Sequence, residues 1–162
     1  MAAAVSLPAG HANEDLTVHG EEFALIQPGE YTVQYCRHDT AVVFGVPKVF
    51  VRFKIVDIGK HLGMELVRPF RARELKGKPR RNGGFALGRR SELFLVLCRL
   101  YEQAKIRPDR VSLRDLKNVT LRVKVRTVDK DYRQRPLPEM VKYSVIGEIL
   151  GIDAGSFLLE GD

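Results

Sequence analysis

The chain has 162 residues, of which 44% are hydrophobic and 29% charged, with Lys+Arg 27 against Asp+Glu 20 for a net charge of +7. This size and apolar content suit one domain with its own core and exclude wholesale disorder, and no apolar run is long enough to cross a bilayer as a helix. The positive charge favours a polyanionic partner, and all but one of the bases fall within residues 37–135, between two acidic ends.

Residues 1–22 mix Ala, Gly, Pro and charge without a period and read as a flexible arm. The first ten lack the basic start of a signal peptide, so the cytoplasm is the expected location. A single domain is expected over 23–150, with a tail at 151–162. Phe23–Ile26 reads as a short strand or packed lead-in, ended by the turn signal Pro28-Gly29. Glu30–Arg37 alternates, with Tyr31, Val33 and Tyr35 on one face and Thr32, Gln34 and Cys36 on the other, as a half-buried strand does. His38–Pro47 is either a further short strand or a long loop.

Lys48–Val56 is the strongest strand. Val49, Val51, Phe53 and Ile55 are core material, and Phe50, Arg52 and Lys54 face outward. Asp57–Gly63 returns the chain to a partner strand at Met64–Arg68, where Pro69 either ends the strand or marks its edge because it has no ladder donor. Residues 71–90, centred on Lys76–Gly84, read as a long mobile basic loop. Ser91 then caps an amphipathic helix whose apolar stripe is Leu93, Val96, Leu97, Leu100, Tyr101 and Ala104, ending before Pro108. Ser112 caps a short further turn, Leu113–Lys117.

Val119–Arg126 alternates without fault and puts Arg122, Lys124 and Arg126 on one face. A second basic loop, Asp129–Glu139, carries Tyr132, Arg133 and Arg135, and Met140–Ile149 is the last strand. Phe157-Leu158-Leu159 either seals the chain's own core or docks on a neighbour, and a homodimer is the default assembly. Three strands, a helix and two strands is the order of an OB-like five-stranded barrel; an α+β antiparallel sheet with a packed helix fits the same string.

A barrel of this kind binds single-stranded nucleic acid with bases that neutralise phosphates and rings that stack on nucleobases. The residues placed for that work are Phe50, Arg52 and Lys54 on the second strand and Arg68, Phe70 and Arg71 around the third. Lys76, Lys78, Arg80 and Arg81 come from the long loop, Arg122, Lys124 and Arg126 from the fourth strand, and Tyr132, Arg133 and Arg135 from the loop after it. The run Pro28-Gly29-Glu30-Tyr31-Thr32-Val33, the strand end Phe53-Lys54-Ile55, the lead Gly63–Arg68 and the strand Leu121–Val125 resemble the OB-like single-stranded-DNA-binding proteins of phages and mobile elements. The resemblance covers about residues 28–149 and implies DNA rather than RNA, with a role in replication or recombination. The competing reading is a protein-interaction, inhibitory or assembly factor whose basic surface meets an acidic partner protein.

Other chemistry finds little purchase. Cys36 and Cys98 match neither a metal knuckle nor a disulfide framework, and the four histidines reach no metal spacing. Cys36 and His38 sit two apart on a strand by coincidence, Asp57, Glu65 and Glu74 each answer a nearby base, and no complete phosphate-loop motif occurs. No metal, cofactor, catalytic residue or membrane contact is expected, and the chain is not expected to be an enzyme.

Overall fold

The period-two patterns settle most of the architecture. The computed structural model describes residues 25–104 and 112–153. In order it has β1 (Gly29–Val43), β2 (Val46–Ile55), β3 (Glu65–Arg71), β4 (Glu74–Lys76), β5 (Gly84–Ala86), α1 (Glu92–Ala104), β6 (Thr120–Val128) and β7 (Tyr143–Ile152). Short 3₁₀ turns at Leu113–Asn118 and Glu139–Val141 precede β6 and β7. Val49, Val51, Phe53 and Ile55 of β2 join Leu121, Val123 and Val125 of β6 in the core, and the residues between them point away. The expected arm, the helix end near Pro108 and the Phe157–Leu159 cluster lie outside the described residues.

β1 is longer than its sequence pattern announces. Its first part, Gly29–Gln34, pairs with β6, and Val33–Val43 pairs with β2. A bulge at Cys36 lies between the pairs Tyr35–Phe53 and Arg37–Arg52. One extra residue reverses the faces, so Thr40 is buried, as an uninterrupted alternation would not place it. His38–Pro47 is therefore largely strand, not loop.

Beyond Gln34 the edge of β1 no longer meets β6, and its backbone groups need other partners. Residues 80–82 supply them: Thr40 N donates to the Arg80 carbonyl at 3.0 Å, and Asn82 N to the His38 carbonyl at 2.6 Å. Leu75 pairs with Phe85 across β4 and β5, and both pack on the core. The basic stretch 71–90 is thus built around a hairpin fastened to β1, where an irregular loop was expected.

The main sheet runs β3-β2-β1-β6-β7, antiparallel throughout. Its first and last strands share no backbone ladder, so the sheet is open and the OB-like barrel is not formed; the α+β sheet with a packed helix is the correct alternative. Pro69 sits in edge strand β3, where a missing N–H does least harm. Between the edges the link is a side chain, Arg68 Nη1 donating to the Ile146 carbonyl at 3.4 Å. α1 lies against both β3 and β7. The expected homodimer, in which single-strand-binding barrels would combine their sites, loses that ground with the open sheet.

α1 begins as its sequence indicates, with Ser91 Oγ accepting from Phe94 N at 3.2 Å and Glu92 in the first turn. Tyr101, fully buried, accepts from Ser112 N at 2.6 Å and donates to the Ser112 carbonyl at 2.5 Å. Ser112 Oγ in turn accepts from Arg114 N, so the 3₁₀ turn Leu113–Asn118 is locked to the helix. Ile26 is a packed lead-in: Ser144 Oγ accepts from its N–H at 2.8 Å and donates to its carbonyl at 3.2 Å. Ser144→Ala strands both buried backbone groups, and urea unfolding should show a loss of about 1–2 kcal/mol. An unchanged midpoint would mean that the lead-in adds nothing to stability.

Candidate interaction surfaces

The fold distributes the sixteen sequence-selected residues over β2 and β3, the β4–β5 hairpin, β6 and the loop after it, and neutralises several of them. Arg52 Nε donates to Asp39 Oδ2 at 2.7 Å and lies 4.0 Å from Glu65, its side chain only 12% exposed. Arg68 pairs with Glu92 at 2.7 Å and stacks 5.0 Å from the centre of Phe70, which is buried. Arg122 pairs with Glu30 at 3.0 Å, and Lys124 is flanked in register by Glu30 and Glu148. Neighbouring strands thus provide the acids that the β6 sequence lacks. Phe50 is half-buried between Asp39 and Pro69 in register. Lys54, Arg71, Arg126 and the hairpin bases Lys76, Lys78, Arg80 and Arg81 are exposed, as are Tyr132, Arg133 and Arg135.

These placements overturn the single-stranded nucleic-acid reading, for DNA and RNA alike, together with the replication and recombination roles attached to it. The barrel that would carry the strand is open, Phe70 is inside, and key bases are held by the protein's own carboxylates. Cys36 and His38 form no dyad either. His38 faces Tyr35, and Cys36 lies in an adjoining groove, its thiol pushed up by burial. Glu65 does answer nearby bases, Arg37 and Arg52, whereas Asp57 accepts from the backbone N–H of Thr32 at 2.7 Å.

Two other features stand out. The first is an aromatic tip. Phe44, in the β1–β2 turn, is 90% exposed and has a positive φ of 51°, followed by Gly45 at 77°. Its ring centroid is 6.3 Å from that of Tyr132, itself 75% exposed, and the Arg133 guanidinium lies 5.3 Å from the Tyr132 ring. The Tyr132 loop is closed from within: the Asp131 carboxylate accepts from the N–H groups of Arg133 and Arg135 and from Arg135 Nε, at 2.8–3.0 Å. Those bonds, the Arg135 N–H foremost, hold the Asp131 carboxyl below its ordinary range. Sequence reasoning singled out Tyr132 and missed Phe44, whose one signal was a bulky ring directly before a turn glycine.

The second feature is a cleft of about 690 Å³ bounded by β1, the β4–β5 hairpin, α1 and the 3₁₀ turn Leu113–Asn118. Phe85, Leu87, Phe94, Leu97 and Leu113 form its apolar lining; Tyr35, His38, Asn82, Arg114 and Lys117 are polar. His38 Nε2 lies 2.7 Å from the Gly83 carbonyl and Nδ1 lies 3.1 Å from the Tyr35 hydroxyl. Burial pushes the Tyr35 phenol up to about 12, with Arg114 acting in the opposite direction. Tyr35 and Lys117 also line a groove with Arg37, Lys54, Arg81 and Glu65. Of these cleft and groove residues, the sequence reading selected only Lys54 and Arg81 for a site.

Among the described residues, no three His, Cys, Asp or Glu side chains gather as metal ligands, and no helix is long and apolar enough to cross a membrane. Comparison with protein-family models, curated proteins and solved structures finds no match to this chain. The resemblance to OB-like single-stranded-DNA-binding proteins is therefore left without support from relatives as well as from the fold.

Proposed function

We propose that the chain is a non-enzymatic protein-interaction module that captures an acidic segment of a partner protein on its aromatic tip. The observation that carries this reading is the pairing of Phe44 and Tyr132, two solvent-facing rings on short turns, with Arg133 stacked beside them. Aromatic and arginine side chains dominate the energetics of protein interfaces, and an exposed apolar cluster with a polar rim marks such a surface. The internally bonded Asp131–Arg135 loop lowers the ordering that binding would otherwise require. Exposed Lys130 and Arg133, on a chain of net charge +7, select for an acidic counterpart.

A displayed library of random peptides, selected on the full chain, should enrich sequences that combine acidic residues with an apolar anchor. Phe44→Ala and Tyr132→Ala should each weaken the selected peptides at least ~10-fold without shifting the melting temperature, and added salt should weaken them further. Enriched peptides without acidic bias, or with undiminished affinity for both variants, would refute the reading.

A further inference from the structure

We propose that the cleft beside His38 is a ligand site for an anionic amphiphile, with an apolar body against Phe85, Leu87 and Phe94 and a carboxylate at Arg114 and Lys117. The site is separate from the aromatic tip and does not depend on it. Its volume of about 690 Å³ falls in the range of small-molecule sites, roughly 300–1,000 Å³, which are mostly apolar with a few fixed polar groups.

The hydrogen-bond directions decide which end of the ligand goes where. A carbonyl only accepts, so the 2.7 Å contact to Gly83 O places the proton of neutral His38 on Nε2. Nδ1 is then an acceptor, and the Tyr35 hydroxyl donates to it. His38 and Tyr35 have thus committed their protons and offer an anion only lone pairs, while the Asn82 amide and Ser112 hydroxyl of the same cleft are neutral and carry no charge to hold it. Donors with positive charge lie at Arg114 and Lys117, both exposed. An anionic head therefore stops at those two residues and the apolar body goes inward.

The surrounding charge agrees with this polarity. In the adjoining groove Arg37 is engaged by Asp39 at 3.5 Å and by Glu65 at 3.8 Å, which leaves Lys54 and Arg81 to add to Lys117. A concave surface with an excess of one sign of charge concentrates the opposite sign. Arg114 lies near enough to the Tyr35 phenol to influence its ionisation, so its field reaches the cleft interior.

The same chemistry comes from a free fatty acid or from the carboxyl terminus of an apolar peptide. Titration calorimetry on the full chain with decanoate, decanol and decylamine tests the class, and a short apolar peptide as its free acid and as its amide tests the source. Decanoate should bind saturably, decanol ~10-fold more weakly and decylamine not at all; Arg114→Ala/Lys117→Ala should reduce decanoate binding by ~10-fold or more at an unchanged melting temperature. Displacement of decanoate by the free-acid peptide, with the amide inactive, assigns the site to chain termini; decanoate binding without such displacement assigns it to free acids. Amide-proton shifts centred on Phe85, Phe94 and Arg114 locate the ligand. No saturable decanoate binding, equal binding of decylamine, or full affinity in the double variant overturns the proposal.

Discussion

Replacing Asp39 by alanine is expected to lower the free energy of unfolding by about 2 kcal/mol, between the worth of a solvated ion pair and the loss on breaking a fully buried one. Register pairs Arg37 with Arg52 across β1 and β2, and like charges directly opposite destabilise a sheet. Asp39 resolves that conflict by lying 3.5 Å from Arg37 Nε and 2.7 Å from Arg52 Nε. Removing it leaves two cross-strand guanidinium groups near Glu65, whose contacts to them are 3.8 and 4.0 Å. Arg52 suffers most because its side chain is 12% exposed and water cannot replace the lost carboxylate well. Arg37→Thr on top of Asp39→Ala removes the repulsion and should restore about half of the lost stability. Urea unfolding of the single and double variants measures both effects. A loss below about 1 kcal/mol for Asp39→Ala would put the cluster in the class of solvated surface pairs.

Alkaline pH should expose the second large effect. The Tyr35 phenol titrates near 10 when unfolded and at about 12 in the folded chain, because burial disfavours its anion. Between those values the unfolded chain gives up the proton that the folded chain keeps. The stability contributed by this group is therefore intact below pH 10 and is lost through the window from about 10 to 12, in all about 3 kcal/mol. Tyr101 is shifted upward by burial as well and steepens the decline, and the Cys36 thiol, raised by burial from an ordinary value of 9.0, begins it at lower pH. Tyr35→Phe should give up about 1 kcal/mol at neutral pH with its hydrogen bond to His38, yet have a visibly shallower alkaline limb. Chemical denaturation across the window is the measurement, and parallel curves for the two proteins would show that Tyr35 ionises freely.

The strands that obey one rule along their length were legible from sequence. β2 and β6 bury alternate apolar residues with no competing signal, and α1 is framed by the Ser91 cap and its apolar stripe. The Ser112 cap and the 3₁₀ turn after it were likewise visible. The rest depended on partners distant in the chain. Nothing local marks Cys36 as a bulge, because its effect appears only when β1 is paired with β2. The 71–90 stretch read as loop because its bases outnumber its apolar residues, although Leu75 and Phe85 suffice to set a hairpin once β1 offers an open edge. The basic face of β6 gained its counter-charges from Glu30 and Glu148 on flanking strands, a cross-strand effect that a one-strand count cannot contain. Tyr132 was legible as an exposed ring because it sits among charges; its neighbour Phe44 resembled core material.

The irregularity at Cys36 gathers the tolerance of β1, for identity and for length, at one position. A change of side chain there alters one half-buried position. Deleting that residue makes Tyr35–Phe53 and Arg37–Arg52 consecutive pairs and leaves every downstream side chain on its present face, whereas deleting His38 instead would carry Arg37 to the inward position opposite Val51. Natural variants of this protein should therefore vary freely in what occupies residue 36, and any change of length between Tyr35 and Phe44 should fall at that residue.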